Sequence, residues 1–315
     1  MDTRYTVRPF ENTDIDAIVE LWNSNLPHDV MTVDRFMDRV VLDDNFDAEL
    51  ALVAVQDGRI AGFCLGIRRL YPYLTRGTEP SRGWITALFV DGPHRRRGIA
   101  TAMVKEVENR MRVMGVEEIT LGAYSPNYFM AGIDTSYEGG REFFSSQGYD
   151  DRGEAVSMCR GLFGYELPVR VRERVKELEC EGIHFQMYSP EYFDSLVTFA
   201  EQQFGAGWHK NIVDAVRMHE AQDTIVMAVD DEEGVIGFAL RKIDGNDERF
   251  GPIGVREDLR SKGLGGILLD LQMLEMKKRG INCLYFLWTS GDAIRFYRRH
   301  GFEEFRTYRL SRKRL

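Results

Sequence analysis

Two stretches of this sequence have the residue types and the spacing to hold an anion. Arg95-Arg96-Arg97-Gly98-Ile99-Ala100 and Arg260-Ser261-Lys262-Gly263-Leu264-Gly265 share the pattern Arg-x-x-Gly-x-Gly/Ala. Each follows a β-rich segment, ending at Val90 in one copy and Val255 in the other. Each then enters a segment of helical periodicity, marked by Ile99, Met103, Val107 and Met111 or by Leu264, Ile267, Leu268, Leu271 and Leu274. Glycine lets the backbone come close to a ligand, while the free amides and positive dipole end of the next helix favour phosphate. Residues 95–101, ending at Thr101, and 260–266, ending at Gly266, therefore read as cradles for a diphosphate. The arginines and Lys262 add counter-charge. A plain strand-to-helix turn would use the same glycines, but two copies in matching context favour the cradle. Other phosphate patterns fail: Lys262 precedes its glycine, so there is no G-x-x-x-x-G-K-[ST], and Leu268 stands where a dinucleotide pattern needs its last glycine. An ATPase or a nicotinamide enzyme is disfavoured.

The elements that must position these turns also come twice. Ala51–Val55, a turn at Gln56-Asp57-Gly58 and Arg59–Ile67 read as strand, turn and strand, and Ile225–Val229, Asp230–Gly234 and Val235–Arg241 repeat them. Each half opens with an apolar-periodic helix, through Ala17, Ile18, Leu21 and Trp22 or through Phe193, Leu196, Val197 and Phe199. Each closes on an aromatic pair four residues ahead of a glycine, Phe143-Phe144 before Gly148 and Phe296-Tyr297 before Gly301. Between the halves, Leu167–Gly182 begins with Pro168 and continues as charged helical sequence. The expected organisation is a first domain over 1–165, a linker helix over 166–182 and a second domain over 183–315. Each domain is α/β, a mixed sheet with flanking helices.

These motifs resemble those of the GNAT superfamily of N-acetyltransferases, in a tandem two-domain form covering nearly the whole chain outside the linker. The resemblance implies acetyl-coenzyme A as donor, its pyrophosphate on the turn amides. Its pantetheine arm would lie along the strand before the turn, Leu88 to Val90 in one half and Ile253 to Val255 in the other. A backbone amide there would polarise the thioester carbonyl, an efficient device for a developing oxyanion. In related acetyltransferases a tyrosine four residues before the last glycine protonates the leaving thiolate. Tyr297 has that place in the second half and Phe144, which has no proton to give, in the first. Catalysis is therefore expected in the C-terminal domain, on the primary amine of a small molecule. The asparagine that the family often carries upstream is Ser290 here. Trp208 and His209 fall where the superfamily shapes its acceptor pocket, and Trp288 and Glu201 are further candidate liners; no residue stands out as a general base. The first half is longer between its turn and its closing motif, through Tyr124, Pro126, Asn127, Tyr128, Phe129, Gly132, Asp134 and Tyr137, a loop that would cap a pocket or pack on the surface. A non-catalytic acyl-coenzyme A sensor and a protein N-terminal or lysine acetyltransferase remain the alternatives.

Bulk properties agree with a soluble small-molecule enzyme. The chain has 315 residues, 41 Lys and Arg against 50 Asp and Glu, and a net charge of −9, which argues against nucleic acid as a partner. Cys64, Cys159, Cys180 and Cys283 make neither a CxxC pair nor a zinc spacing, so no metal is expected and the thiols read as reduced. The N-terminus lacks an apolar signal core and no run approaches a membrane span, which leaves the cytoplasm as the expected location.

Overall fold

A computed structural model of the chain describes residues 5–127, 130–137 and 139–315, excepting the side chain of Ser261. It divides into two compact units: residues 1–156 with Arg306–Leu315, and Ser157–Phe305.

In the first unit, β1 (Tyr5–Pro9), α1 (Ile15–Asn25) and the short α2 (Val33–Phe36) precede a hairpin of β2 (Ala51–Gln56) and β3 (Arg59–Arg68). Asp57 and Gly58 both take positive φ in its tight turn. Then come β4 (Arg82–Val90), α3 (Ile99–Val113), β5 (Glu118–Leu121), β6 (Ile133–Asp134), α4 (Gly140–Ser146) and β7 (Asp150–Gly161), of which 150–156 belong to this unit. Strand alternation sorts the core into two layers. Val53, Phe63 and Phe89 pack with Trp22 and Phe36 under α1 and α2, while Leu52, Cys64 and Ile85 pack with Met103 and Val107 of α3. Full burial of each such large side chain is worth about 1.5–3 kcal/mol, so the layers pin both helices to the sheet.

The second unit takes up the chain at 157 and continues with α5 (Val169–Cys180), β8 (Ile183–Met187), α6 (Phe193–Phe204), α7 (Ala206–Arg217) and α8 (Ala221–Thr224). Next come β9 (Ile225–Asp230), β10 (Gly234–Arg241), β11 (Phe250–Val255), α9 (Leu264–Lys278), β12 (Cys283–Thr289) and α10 (Asp292–Arg299). Its main sheet has the order β11-β10-β9-β8. Leu196 and Phe199 of α6, Ile212 of α7, Met227 and Phe238 share one core. The last strand, β13 (Glu303–Arg314), begins in this unit and ends in the first.

There its residues 306–314 fill the sheet position beside β5, with Arg312 opposite Thr120 and Arg314 opposite Glu118, in the order β1-β2-β3-β4-β5-β13-β7. Charge fixes the fit: Arg306 pairs with Asp29 and Asp134, Arg309 with Asp151 and Glu154, Arg312 with Glu118 and Lys313 with Glu108. The units thus divide elsewhere than at 166–182. The expected linker is a helix, α5, but it buries Val171 and Leu178 and packs on β8 and α9 inside the second unit. Internal repeats give the order of elements, and they leave open which strand completes which sheet.

Candidate functional site

The second-unit turn is built from the strand outward. Arg256 N donates to Ile236 O at 2.9 Å, and Val255 and Gly254 lie opposite Gly237 and Phe238. Successive residues of a strand turn their peptide groups to opposite edges, so Ile253 and Val255 direct theirs away from β10. On that free side β12 meets the start of β11 through a parallel bridge between Arg249 and Tyr285, and Tyr285 N donates to Glu248 O at 3.0 Å. Past β11 a short 3-10 turn, Glu257–Lys262, leads to Gly263 at φ 80°, the N-cap of α9. No atom lies within 4 Å of where a Cβ of Gly263 would be, so the turn is open on that face and an L side chain would be strained there. Gly266 N and Ile267 N bond back to Gly263 O, which leaves the Leu264 and Gly265 amides without an intrahelical acceptor. The Leu264 side chain is fully buried and offers only this amide. Arg260 and Lys262 are exposed beside it, and Arg260 is loosely held, 3.9 Å from Glu257.

The first unit has the same turn with a different setting. Gly98 has φ 81° and caps α3, and the nearest atom to its Cβ position is Tyr5 Oη at 3.6 Å. Ala102 N bonds to Gly98 O, leaving the Ile99, Ala100 and Thr101 amides for an anion. Arg96 and Arg97 are exposed, whereas Arg95 folds back, its Nε donating to Val90 O at 2.9 Å and its Nη2 to Asn25 Oδ1 at 2.8 Å. Both cradles accordingly fit a pyrophosphate through backbone amides.

Beside the first turn, β4 and β5 pair in parallel as far as Ile85 and Leu121, then separate. The β3–β4 register slips by one residue at Thr86, whose Oγ1 lies 3.4 Å from Leu65 O. The parting holds a cleft of about 110 Å³ lined by Thr86, Leu88, Ile133, Asp134, Tyr137 and Phe144 among others. Asp91 N bonds to Ala61 O, so the alternation turns Leu88 and Val90 to the free edge. At the cleft's polar end Tyr137 Oη donates to Asp29 Oδ2 at 2.8 Å, and Arg306 bridges Asp29 and Asp134. Burial, and then the Asp29 carboxylate, push the Tyr137 phenol well above the ordinary tyrosine range. Composition gave no sign of this cluster, because Arg306 is distant in sequence from both carboxylates. In the same insertion Tyr124 is buried and Asn127 Nδ2 donates to Asp43 Oδ2 at 2.9 Å, so it packs at these positions; Tyr128 and Phe129 lie outside the described residues.

Tyr297 sits on α10, its ring 4.4 Å from that of Phe286 on β12 and 6.4 Å from that of Phe250 on β11. The phenol therefore stands over the place where those strands part. Burial raises its pKa, opposed by the charge of Arg249. The equivalent ring of the first unit, Phe144, lines the cleft there. The acceptor candidates do not gather. Trp208 stacks on Phe204 with ring centroids 4.2 Å apart, and both rings press on β11 at Gly254. His209 Nδ1 is 3.1 Å from Glu201 Oε2 on the outer side of α7, and Trp288 is 43% exposed on β12. Among the described residues no three His, Cys, Asp or Glu side chains are grouped to hold a metal ion, and no helix is long and apolar enough to cross a membrane.

Comparison with known proteins follows the same division. Residues 15–132 match the model of the acetyltransferase (GNAT) family, and residues 221–304 match that of an acetyltransferase (GNAT) domain. A mycothiol acetyltransferase of Saccharomonospora viridis is 25% identical over 247 residues, 71% of this chain and 72% of that one. The GCN5-related glucosamine N-acetyltransferase region of a fungal multi-domain GH3 beta-N-acetylglucosaminidase superposes with a TM-score of 0.81 at 21% identity. The match covers 99% of this chain but 38% of that one. A tandem GNAT protein from the clavulanic acid biosynthesis pathway superposes with a TM-score of 0.64 at 13% identity, over 99% and 98% of the two chains.

Proposed function

The chain belongs to the GNAT family of acetyltransferases, whose donor is acetyl-coenzyme A, and from that premise we propose that it acetylates the primary amine of a small molecule in its second unit. In this reading the Leu264 and Gly265 amides hold the pyrophosphate, with Arg260, Ser261, Lys262 and Gly266 around it. The free peptide groups of Ile253 and Val255 hold the pantetheine arm and polarise the thioester carbonyl. As the carbon–sulfur bond breaks, Tyr297 gives its proton to the departing thiolate. The observation that carries the assignment is the phenol of Tyr297 over the parting of β11 and β12, against the phenyl ring of Phe144 in the first unit. A small acceptor is supported by the net charge of −9, which suits a cationic amine, and by the relative named for mycothiol.

Leu88, Val90 and the amides of 99–101 would hold a second donor without chemistry. The first unit's cleft favours a second reading, an acyl-coenzyme A sensor with no turnover. One experiment separates these: coenzyme A release is measured over a panel of amines for Gly98→Val and Gly263→Val, with folding checked by circular dichroism. Activity lost in Gly263→Val alone supports transfer in the second unit. The assignment fails if Gly98→Val is dead while Gly263→Val turns over, and a wild-type protein that releases no coenzyme A with any amine of the panel supports the sensor.

A further inference from the structure

His300 is the C-cap of α10, and its ring stands against the first turn of α9. A Cβ placed on Gly266 would lie 2.9 Å from His300 Nε2 and 3.5 Å from its Cε1, so that edge of the imidazole touches the residue next to Gly265. Phe296, one turn earlier on α10, comes within 3.9 Å of the Cβ position of Gly265, and its ring centroid is 4.6 Å from that of His300. The two rings wall one side of the turn whose Leu264 and Gly265 amides have no intrahelical acceptor. On its other edge, His300 Nδ1 lies 2.9 Å from Phe296 O. A carbonyl oxygen only accepts, so Nδ1 carries the hydrogen and, in the neutral ring, Nε2 is a bare lone pair. Nε2 makes no hydrogen bond to any described residue, and the side chain is half-buried, open to a ligand. The first unit has no such ring: Thr101 and Gln147 hold the matching places, and Gln147 Nε2 turns to Ser146 Oγ at 3.2 Å.

We propose that His300 is a proton-linked ligand of the donor's diphosphate: binding places a proton on Nε2, which donates to a phosphoryl oxygen while Nδ1 keeps its bond to Phe296 O. This rests on the reading that the Leu264 and Gly265 amides hold that diphosphate. A phosphoryl oxygen brought to those amides meets the lone pair of a neutral Nε2, and two acceptors facing each other repel. Moving the ring hydrogen from Nδ1 to Nε2 would remove the clash but break the bond to Phe296 O. Taking one proton from solvent meets both demands, and the hydrogen bond it forms is charge-assisted. The elements about the ring present cations: Arg160 of β7, whose Nη1 donates to His300 O, Arg299 beside it on α10, and Arg260 and Lys262 on the turn ahead of α9. Arg298 of α10 is paired with Glu304, and Glu257 stands 3.9 Å from Arg260. The diphosphate is the anion that holds the added proton in this setting. Binding therefore tightens as pH falls through the range in which imidazole titrates, about pH 5–8, because the complex holds one more proton than its parts.

The test is calorimetry of dephospho-coenzyme A binding to the Gly98→Val chain, so that the second unit is read alone. This probe keeps the diphosphate and lacks the 3′-phosphate, whose own proton would titrate in the same range. Near about pH 7, heats in buffers of differing ionisation enthalpy are expected to show uptake of about half a proton or more per ligand, and affinity should fall about 3- to 10-fold between about pH 6.5 and 8. His300→Gln offers an amide hydrogen that does not titrate, so uptake in it should drop below about 0.1 proton and affinity should vary less than about twofold over that range. Gly266→Ala, whose Cβ would displace the imidazole from the turn, should lose the uptake likewise, and it carries the test if the Gln variant does not fold. A ring that only packs against Gly266 would leave the proton count untouched by either change. No uptake in the parent, or equal uptake in parent and variants, overturns the proposal. If the Gly98→Val chain binds nothing, or binds as well with Gly263→Val added, it is the placement of the diphosphate that fails.

Discussion

Replacing Arg306 by methionine removes the cation shared by two carboxylates next to the first unit's cleft. Its Nη1 and Nη2 grip Asp29 at 2.6 and 2.8 Å while Nε reaches Asp134 at 2.5 Å. The side chains of Arg306, Asp29 and Asp134 are 15%, 10% and 4% exposed, so the loss is that of a buried pair. Breaking such a pair costs about 3–5 kcal/mol, because uncompensated charge is left behind. Tyr137 still donates to Asp29, and Ser136 N and Oγ to Asp134, which puts the expectation toward the lower figure. For a unit of this size about 2–4 °C per kcal/mol converts about 3 kcal/mol to a fall in Tm of roughly 6–12 °C. Burial opposes the Arg306 charge, but Asp29 outweighs it and holds the pKa above the ordinary arginine value. A raised pKa contributes stability below its unfolded value, so the wild-type term is constant across pH 5–9. The assay is urea unfolding by tryptophan fluorescence with Trp208 and Trp288 replaced by phenylalanine, so that Trp22 and Trp84 of the first unit report. A variant within about 0.5 kcal/mol of its parent at pH 7 refutes the reasoning.

Three further outcomes are expected. Tyr297→Phe should lower kcat about 10- to 1000-fold with donor affinity retained, as read by steady-state kinetics and calorimetry, if its proton is used in the slow step. Because burial raises the Tyr297 pKa, the phenol stays protonated at high pH and the kcat profile should carry no alkaline limb from it below about pH 10; a limb near 8 that vanishes in Tyr297→Phe would contradict this. A Cβ added in Gly254→Ala would lie 2.7 Å from the Trp208 ring and against Phe204, so the second unit should lose about 1–3 kcal/mol in denaturant unfolding, and an unchanged midpoint would mean the rings give way freely.

The sequence alone determined the repeated order of elements, both glycine turns, and the contrast between Tyr297 and Phe144. Each of these is local: a strand period, a helix period, or a phenol at fixed spacing from a glycine lies within a few residues, and local geometry follows from it. Tertiary structure alone decided the rest. Residues 306–315 complete the first unit because the place beside β5 offers unpaired backbone and acidic partners, none of them near in sequence. Arg95, which pattern matching groups with Arg260, turns back onto Val90 and Asn25 because those acceptors are close in space, while Arg260 has only a loose neighbour. Trp208 was an expected pocket residue, and in the fold it stacks on Phe204 against β11. Spacing along a chain fixes which residues share an element, whereas burial and charge pairing depend on which elements the fold brings together.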